Sequence, residues 1–274
     1  SIINLLSVVV FLPVLNPLSL FLSKFFKEED TLVTSFVKKE DLAEPGTAFD
    51  LFRKEAEFFM YSAMSFNLHL FGLKSRIADM KPQLADLEHR RKLFEKSQEE
   101  QYEFLKRLQG ELQLYYLSLR SVLQQADQVH RLEHLIAAVR SAMHAAKSVM
   151  DITPNIENLR NSSKEEKYSF YIGARQYVAD MYAKLEVMFQ REGEVTFDEL
   201  KLVHDEISAH YSHSLEIMYL NAAGGSLSNA DFTTIMNLNR ELFTSHKAML
   251  MSVKDFRLEP AEAERFSELP VYLT

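Results

Sequence analysis

The chain of 274 residues has no cysteine and only seven glycines and seven prolines. Without cysteine, disulfides, thiolate metal sites and cysteine nucleophiles are all excluded. So few glycines and prolines leave little turn chemistry for a sheet, while 47% hydrophobic residues are ample for a core. Basic residues are also outnumbered, 31 against 39 acidic ones, for a formal net charge of -8. Nucleic acid is therefore not an expected partner, because its phosphates require clustered Lys and Arg.

Apolar residues recur every three or four positions between residues 105 and 150, for longer than anywhere else in the chain. This spacing keeps one face of a helix apolar. The sequence predicts a single helix from about Glu111 to Ile152, ended by Pro154, because proline lacks the backbone N–H donor. At about 1.5 Å per residue the helix would be roughly 60 Å long. Several other helices must cover it, which indicates an all-α bundle.

The first 23 residues carry no charged side chain, and residues 2–22 are mostly apolar. That length is close to the roughly 20 residues that a helix needs to cross a bilayer. Lys24 and Lys27 follow directly, which places the C-terminal side in the cytoplasm by the positive-inside rule. An initiator Met and a basic start, which a signal peptide needs, are missing. We therefore predict a membrane helix over residues 1–26 of a longer membrane protein; a buried core helix is the alternative.

Six helices are predicted after a linker over residues 27–46. The first is capped by Thr47 and carries phenylalanines on one face. Thr196 and Ser228 are expected to cap the last two, because each has an acidic residue three positions on. Pro260 and Pro270 indicate an extended tail over residues 257–274. The predicted helices span about residues 48–79, 82–109, 111–152, 165–191, 197–223 and 229–256.

Two runs of residues carry a family resemblance. His144-Ala145-Ala146-Lys147-Ser148 and the run from Phe232 to Glu241 resemble the C-terminal helical domain of bacterial sodium/phosphate cotransporters. In that family the domain is a PhoU-like six-helix unit built of two three-helix bundles. Asn4-Leu5-Leu6 and Phe11-Leu12-Pro13 are similar to the last membrane helix of the same transporters. The resemblance thus covers nearly the whole chain.

The resemblance implies a cytosolic regulatory or interaction domain, over residues 47–256, of a sodium-dependent phosphate symporter in the inner (cell) membrane. Its expected partners are the membrane, through the first helix, and a transport core upstream of Ser1; a homodimer is compatible with it. The family's Gln-Ser-Ser substrate signature does not occur here. The chain alone is therefore not expected to carry phosphate. A second hypothesis is a metal-binding PhoU-like protein in phosphate signalling that is not part of a transporter.

The resembled family binds metal through acidic residues four apart on a long helix. The matching place here runs from His130 to His134, with Asp127 one turn earlier. Two histidines four apart share a helix face and can ligate a divalent transition metal. The sequence offers three further ligand candidates on one face of the fifth helix: Glu206, His210 and His213. Solvated polar faces are the alternative. No cofactor is required, and we expect substoichiometric metal at most.

Four polar side chains interrupt otherwise apolar helices: Lys147, Asn237, Asn239 and Arg240. They form either buried hydrogen bonds between helices, which fix the register of a bundle, or contacts with a ligand or partner. The first interpretation predicts that Arg240→Ala destabilises the fold by about 1 to 3 kcal/mol. An enzyme is not expected. The sequence has no Glu-x-x-His pair for a di-iron site, and its Ser162-Ser163 turn lacks the glycines of a nucleophile elbow.

Overall fold

A computed structural model describes residues 33–74, 96–191, 193–224 and 227–269. Within these ranges there is no strand, which confirms the predicted all-α class. A short 3-10 helix, η1 (Lys39–Ala43), comes first. The α-helices are α1 (Pro45–Leu70), α2 (Gln98–Val122), α3 (Ala126–Asp151), α4 (Thr153–Arg160), α5 (Glu165–Gln190), α6 (Phe197–Ala223), α7 (Asn229–Arg257) and α8 (Pro260–Ser267).

Helices α3 and α7 pack along each other at the centre of the compact unit that begins at Thr34. Small residues let the two backbones approach closely. Ser245 Oγ donates to the backbone oxygen of Ala145 at 2.9 Å. Ser252 Oγ donates to that of Ala138 at 2.8 Å, and all four residues are fully buried. Each hydroxyl is satisfied by the facing helix, so the two serines fix the register of the pair.

The other helices divide between these two. Helices α1 and α2 pack on α3 and on each other, whereas α5 and α6 pack on α7. The short helix α4 joins α3 to α5, and α8 folds back onto α7, α6 and α3. Two long helices therefore pack on α3 and two others on α7. The predicted aromatic face of α1 lies in the core, where Phe52, Phe59 and Phe66 are buried.

The predicted continuous helix from Glu111 to Ile152 is wrong. It is interrupted by three residues, Leu123 to Gln125, that separate α2 from α3. The chain reverses its direction there. The evidence is an ion pair at 3.0 Å between the side chains of Arg120 and Glu133, which are thirteen positions apart in the sequence. In a continuous helix they would lie roughly 20 Å apart along the axis. The apolar spacing persists across the turn because both helices present their apolar faces to one core.

Several predicted boundaries also shift. Helix α1 starts at Pro45, with Glu44 at the cap position, so Thr47 is not the cap. It ends at Leu70, well before the predicted residue 79, and Gly72 then adopts a positive φ of 65°. Such a left-handed backbone is open to glycine at little steric cost. The described part of the predicted linker is also not irregular throughout, because it contains η1.

The predicted extended tail instead forms α8 over residues 260–267. Pro260 occupies its first turn, where the missing N–H costs nothing, and Ala263 and Phe266 bury one face. The predicted membrane helix over residues 1–26 lies outside the described residues, as does the first half of the predicted helix over residues 82–109. The predicted end of that helix before Gly110 is wrong, because α2 continues through Gly110 to Val122. No helix in the described part of the chain has the length and apolar character that a membrane crossing requires.

Candidate metal centre

The first half of α3 presents two imidazoles on one face. Helix α3 begins at Ala126, directly after the reversal of the chain, so His130 and His134 lie in its second and third turns. Because four residues make slightly more than one helical turn, the two side chains stack along the axis. Their ring centroids are 5.1 Å apart. His134 is almost buried, with 13% of its side chain exposed, whereas His130 is 43% exposed.

Helices α7 and α8 bring two carboxylates to these rings. His130 Nε2 lies 3.1 Å from Oε1 of Glu264, on α8. His134 Nδ1 lies 3.1 Å from Oδ1 of Asp255, near the end of α7. Asp255 is buried, with 8% of its side chain exposed, whereas Glu264 is 65% exposed. One histidine–carboxylate pair is thus exposed at the surface, and the other is almost buried.

A buried lysine pairs with Asp255 and contacts α8. Nζ of Lys254 lies 2.7 Å from Asp255 and compensates its charge. The same ammonium group donates to the backbone oxygen of Ala263 at 3.2 Å and to Ser267 Oγ at 2.7 Å. Both acceptors belong to α8. Lys254 therefore attaches α8, the helix that carries Glu264, to α7.

The arrangement has the composition of a three-ligand metal site. One ligand atom each from His130, His134 and Glu264 lies within 4.8 Å of the other two. Ligands around a tetrahedral zinc ion lie about 3.3 Å apart, given bonds of about 2.0 to 2.1 Å. The exposed side chains of His130 and Glu264 can close the remaining distance by rotation. Two histidines and a glutamate with one open position form a known catalytic ligand set for zinc.

Asp255 lies where a metal-binding histidine usually has a hydrogen-bond partner for its second ring nitrogen. With its hydrogen on Nδ1, the ring of His134 donates to Asp255 and keeps the lone pair of Nε2 for an ion. Metal-bound histidines commonly have this carboxylate contact, which fixes the tautomer and raises the basicity of the ligand atom. The buried Lys254–Asp255 pair therefore orients His134 for ligation.

The remaining predicted metal ligands do not join this group. Asp127 is exposed and pairs with Arg131 at 3.2 Å, one turn along α3. Glu206, on α6, pairs with Lys184 of α5. His210 and His213 also lie on α6, and the ligand atoms of all three residues stay outside the group formed by the α3 histidines. The six predicted ligands are thus divided between two regions of the fold.

His210 belongs instead to a cluster of aromatic rings. It stacks on Tyr177 of α5 with ring centroids 3.3 Å apart. The cluster also contains His246 of α7, which is fully buried and whose ring centroid lies 5.0 Å from that of Tyr177. Burial, together with the nearby His213 and partly opposed by Glu206, lowers the pKa of His210 to about 4. Burial also lowers the pKa of His246, to about 3.

The four predicted polar contact residues separate into exposed and buried ones. Lys147 is 60% exposed and pairs with Asp151 on its own helix. Arg240 is 63% exposed and contacts its neighbour Glu241. The prediction of buried hydrogen bonds between helices is therefore wrong for both. Asn237 is half-buried. Asn239 is 4% exposed, and its amide nitrogen donates to the backbone oxygen of Tyr211 on α6 at 3.4 Å, as that interpretation requires.

Sequence reasoning missed Asp255 and Glu264. A signal existed for α8, because Pro260 followed by apolar residues at positions 263 and 266 is the pattern of a short amphipathic helix. No local signal places either carboxylate beside residue 130, since they are separated from it by more than a hundred residues. No protein-family model matches the chain, and neither does any curated protein or solved structure.

Proposed function

We propose that the chain contains a cytosolic regulatory or interaction domain of a sodium-dependent phosphate symporter. The proposal starts from the resemblance of two sequence runs, around residues 144–148 and 232–241, to the helical domain of bacterial sodium/phosphate cotransporters. In this proposal residues 1–26 form the last membrane helix in the inner membrane. The bundle then lies on the cytoplasmic side, does no chemistry itself, and biases the transport core through a partner or an ion.

One contact carries the proposal. The two runs that bear the resemblance lie on α3 and α7, and the hydrogen bond from Ser245 to the backbone oxygen of Ala145 joins those helices. These segments therefore belong to the central helix pair, with α1 and α2 packed on one member and α5 and α6 on the other. Such a grouping is consistent with a PhoU-like unit of two three-helix bundles. Helices α1, α3 and α7 also bury many of their residues. Such packing suits a regulatory domain in which a shift of one helix displaces the helices that pack on it.

The test is sodium-dependent uptake of radiolabelled phosphate by cells that express the complete gene, with and without residues 47–256. We expect uptake to depend on membrane helices that carry Gln-Ser-Ser signatures before Ser1. Deletion of the bundle should change how uptake responds to phosphate supply, because the regulatory domain is then missing. A gene without such membrane helices, or unchanged uptake and response after deletion, would refute the proposal.

A second candidate is a metal-binding PhoU-like protein that acts in phosphate signalling outside a transporter. The specific observation in its favour is the group formed by His130, His134 and Glu264, oriented by the buried Asp255. None of the further ligands predicted from the sequence joins His130 and His134 in the structure, and two imidazoles alone bind weakly. A third ligand from α8 brings the set to the three protein ligands of a catalytic zinc site.

Cobalt(II) titration of the purified chain tests this candidate, because tetrahedral cobalt absorbs strongly in the visible range. This candidate, in contrast to the expectation of substoichiometric metal from the sequence, requires one bound ion per chain that is lost in His134→Ala and in Glu264→Gln. His144→Ala is the matched control, since His144 is exposed on the same helix and lies outside the group. Equal cobalt absorption in His134→Ala and in the control would exclude this site and leave the first candidate untouched.

A further inference from the structure

A small cavity of about 90 Å³ lies between α1, α3 and the end of α7. Helix α1 contributes Phe49 and Arg53 to its lining, α3 contributes Arg131, and the last residues of α7 include Arg257. The volume is well below the roughly 300 Å³ at which sites for drug-sized ligands begin. The occupant that such a cavity suits is a small ion or one terminal group of a larger molecule.

Arg53 brings to the cavity a positive charge that no carboxylate in the described part of the chain pairs with. Its side chain is exposed, and its Cζ lies 5.4 Å from the centroid of the Phe256 ring. This cation–π contact holds the guanidinium group beside the end of α7. The ring does not neutralise the charge, so Arg53 remains able to pair with an anion.

Neutral acceptors hold the side chain of Arg257. Its Nη2 donates to the backbone oxygens of Arg191 and Gly193, at 2.7 Å for the first. Its Nε is buried and has no hydrogen-bond partner among the described residues. A buried donor without an acceptor costs stability. Because a guanidinium group offers its donors in a planar fork that matches the oxygens of phosphate or a carboxylate, an oxyanion is the chemistry that would satisfy this donor.

Arg53 and Arg257 are close enough to repel each other. The pKa of Arg257 is lowered, first by burial and next by the positive charge of Arg53. Arg191 acts in the same direction, and Glu57 opposes Arg53 with a smaller effect. Two like charges beside one cavity destabilise the fold unless a counter-ion lies between them. An anion bound there would remove the repulsion.

The two acidic residues that the described chain places in the lining are already paired. Asp255 lies 2.7 Å from Nζ of Lys254. Glu259 accepts from Nη2 of Arg131 at 2.8 Å. Neither carboxylate therefore compensates Arg53 or Arg257.

We propose that this cavity binds a doubly charged oxyanion of the class of phosphate or sulfate, held by the guanidinium groups of Arg53 and Arg257. Charge-assisted hydrogen bonds from two arginines to one anion are among the strong polar contacts of proteins. The site does not depend on the proposed symporter. It also needs no metal, because neither arginine belongs to the histidine–carboxylate group, although His134 and Asp255 line the same cavity.

Calorimetric titration of the chain at low salt, with a chelator present, tests the proposal with inorganic phosphate, sulfate and acetate. We expect both dianions to bind and acetate to bind at least about tenfold more weakly, because it carries one charge. The affinity for the dianions should fall as salt is added. Absence of binding by both dianions, or equal binding of acetate, would overturn the proposal.

Glycerol 3-phosphate distinguishes the two sources of such an anion. If it binds at least as tightly as phosphate, the cavity accepts the terminal phosphate of a larger molecule. If it binds more weakly than phosphate, the occupant is the free ion.

Arg53→Gln separates an anion site from a structural role of the arginine. We expect affinity for sulfate to fall at least about tenfold, while heat stability without the anion is kept or raised, because the repulsion of Arg257 is removed. Arg140→Gln is the matched control, since Arg140 is an exposed arginine of α3 outside the lining. Equal sulfate affinity of the two variants, with or without a loss of heat stability in Arg53→Gln, would contradict the assignment.

Discussion

Acid should unfold the protein through His246, and the structure allows the size of the effect to be worked out. His246 is fully buried, and the rings of Tyr177 and Tyr182 lie 5.0 and 5.7 Å from it. Burial lowers its pKa from 6.5 to about 3, with a smaller contribution from His210. A depressed pKa in a base means that the unfolded chain takes up a proton at a pH where the folded chain does not. Stability is therefore lost as the pH falls from about 6.5 towards about 3.

The magnitude follows from proton linkage. Each unit of pH in this window costs about 1.4 kcal/mol for one proton bound only by the unfolded state. Near pH 5 the accumulated loss from His246 alone is about 2 kcal/mol, a large share of a typical stability of about 5 to 15 kcal/mol. His210 acts in the same direction, because burial lowers its pKa to about 4.

The assay is urea unfolding followed by circular dichroism near pH 7 and near pH 5. The variant is His246→Leu, which keeps an apolar side chain of similar size but binds no proton. We expect the difference in unfolding free energy between the two pH values to shrink by about 2 kcal/mol relative to the unchanged chain. His144→Leu is the control, because His144 is exposed. If His246→Leu retained the full acid sensitivity, the buried imidazole would not be its source.

Three further substitutions test the packing by the same urea measurement. Arg240→Ala should change stability by less than about 0.5 kcal/mol, because the side chain is exposed; a loss of several kcal/mol would restore the sequence-based interpretation. Ser252→Ala should cost about 1 kcal/mol, because the hydrogen bond to Ala138 across the central helix pair is lost, and no loss would mean that this bond does not matter. Lys254→Met should cost about 3 kcal/mol or more, because it leaves the buried carboxylate of Asp255 without the ammonium group that compensates its charge; a neutral result would show that α8 does not depend on the pair.

Features decided within one turn of helix were predictable from the sequence. Thr196 and Ser228 cap α6 and α7 as expected, since the side chain of each accepts the backbone N–H three residues on. Capping depends on a few consecutive residues, so it leaves a local signal. The aromatic face of α1 was also predictable, because its burial follows from the 3.6-residue period alone.

The break between α2 and α3 was not predictable in the same way. Residues 123 to 125 contain neither glycine nor proline, and Leu123 preserves the apolar period while its side chain is buried. Both helices are formed by residues that favour helix. What ends α2 is the packing of α3 back against it, a tertiary effect that outweighs local propensity. The spacing of apolar residues alone therefore predicts one continuous helix where the structure has two antiparallel helices.

The candidate site shows the same division between local and long-range information. The spacing of His130 and His134 placed them on one face, which the structure bears out with rings 5.1 Å apart. Their acidic partners come from 121 and 134 residues further along the chain. The choice of Glu206, His210 and His213 as partners assumed that α6 faces α3. The helix that faces α3 most closely is α7.

The position of α8 connects the candidate metal centre to the stability of the bundle. Lys254 on α7 holds α8 through two hydrogen bonds, and Glu264 adds an exposed contact to His130. An ion between His130, His134 and Glu264 would bond α8 directly to α3 and so replace a weak surface contact with a strong one. Its binding energy would then appear as tighter attachment of α8 rather than as a change in the central pair of α3 and α7. Because α8 also packs on α6, the same attachment would reach the helices around α7, and the last eight-residue helix would link ion binding to both halves of the fold.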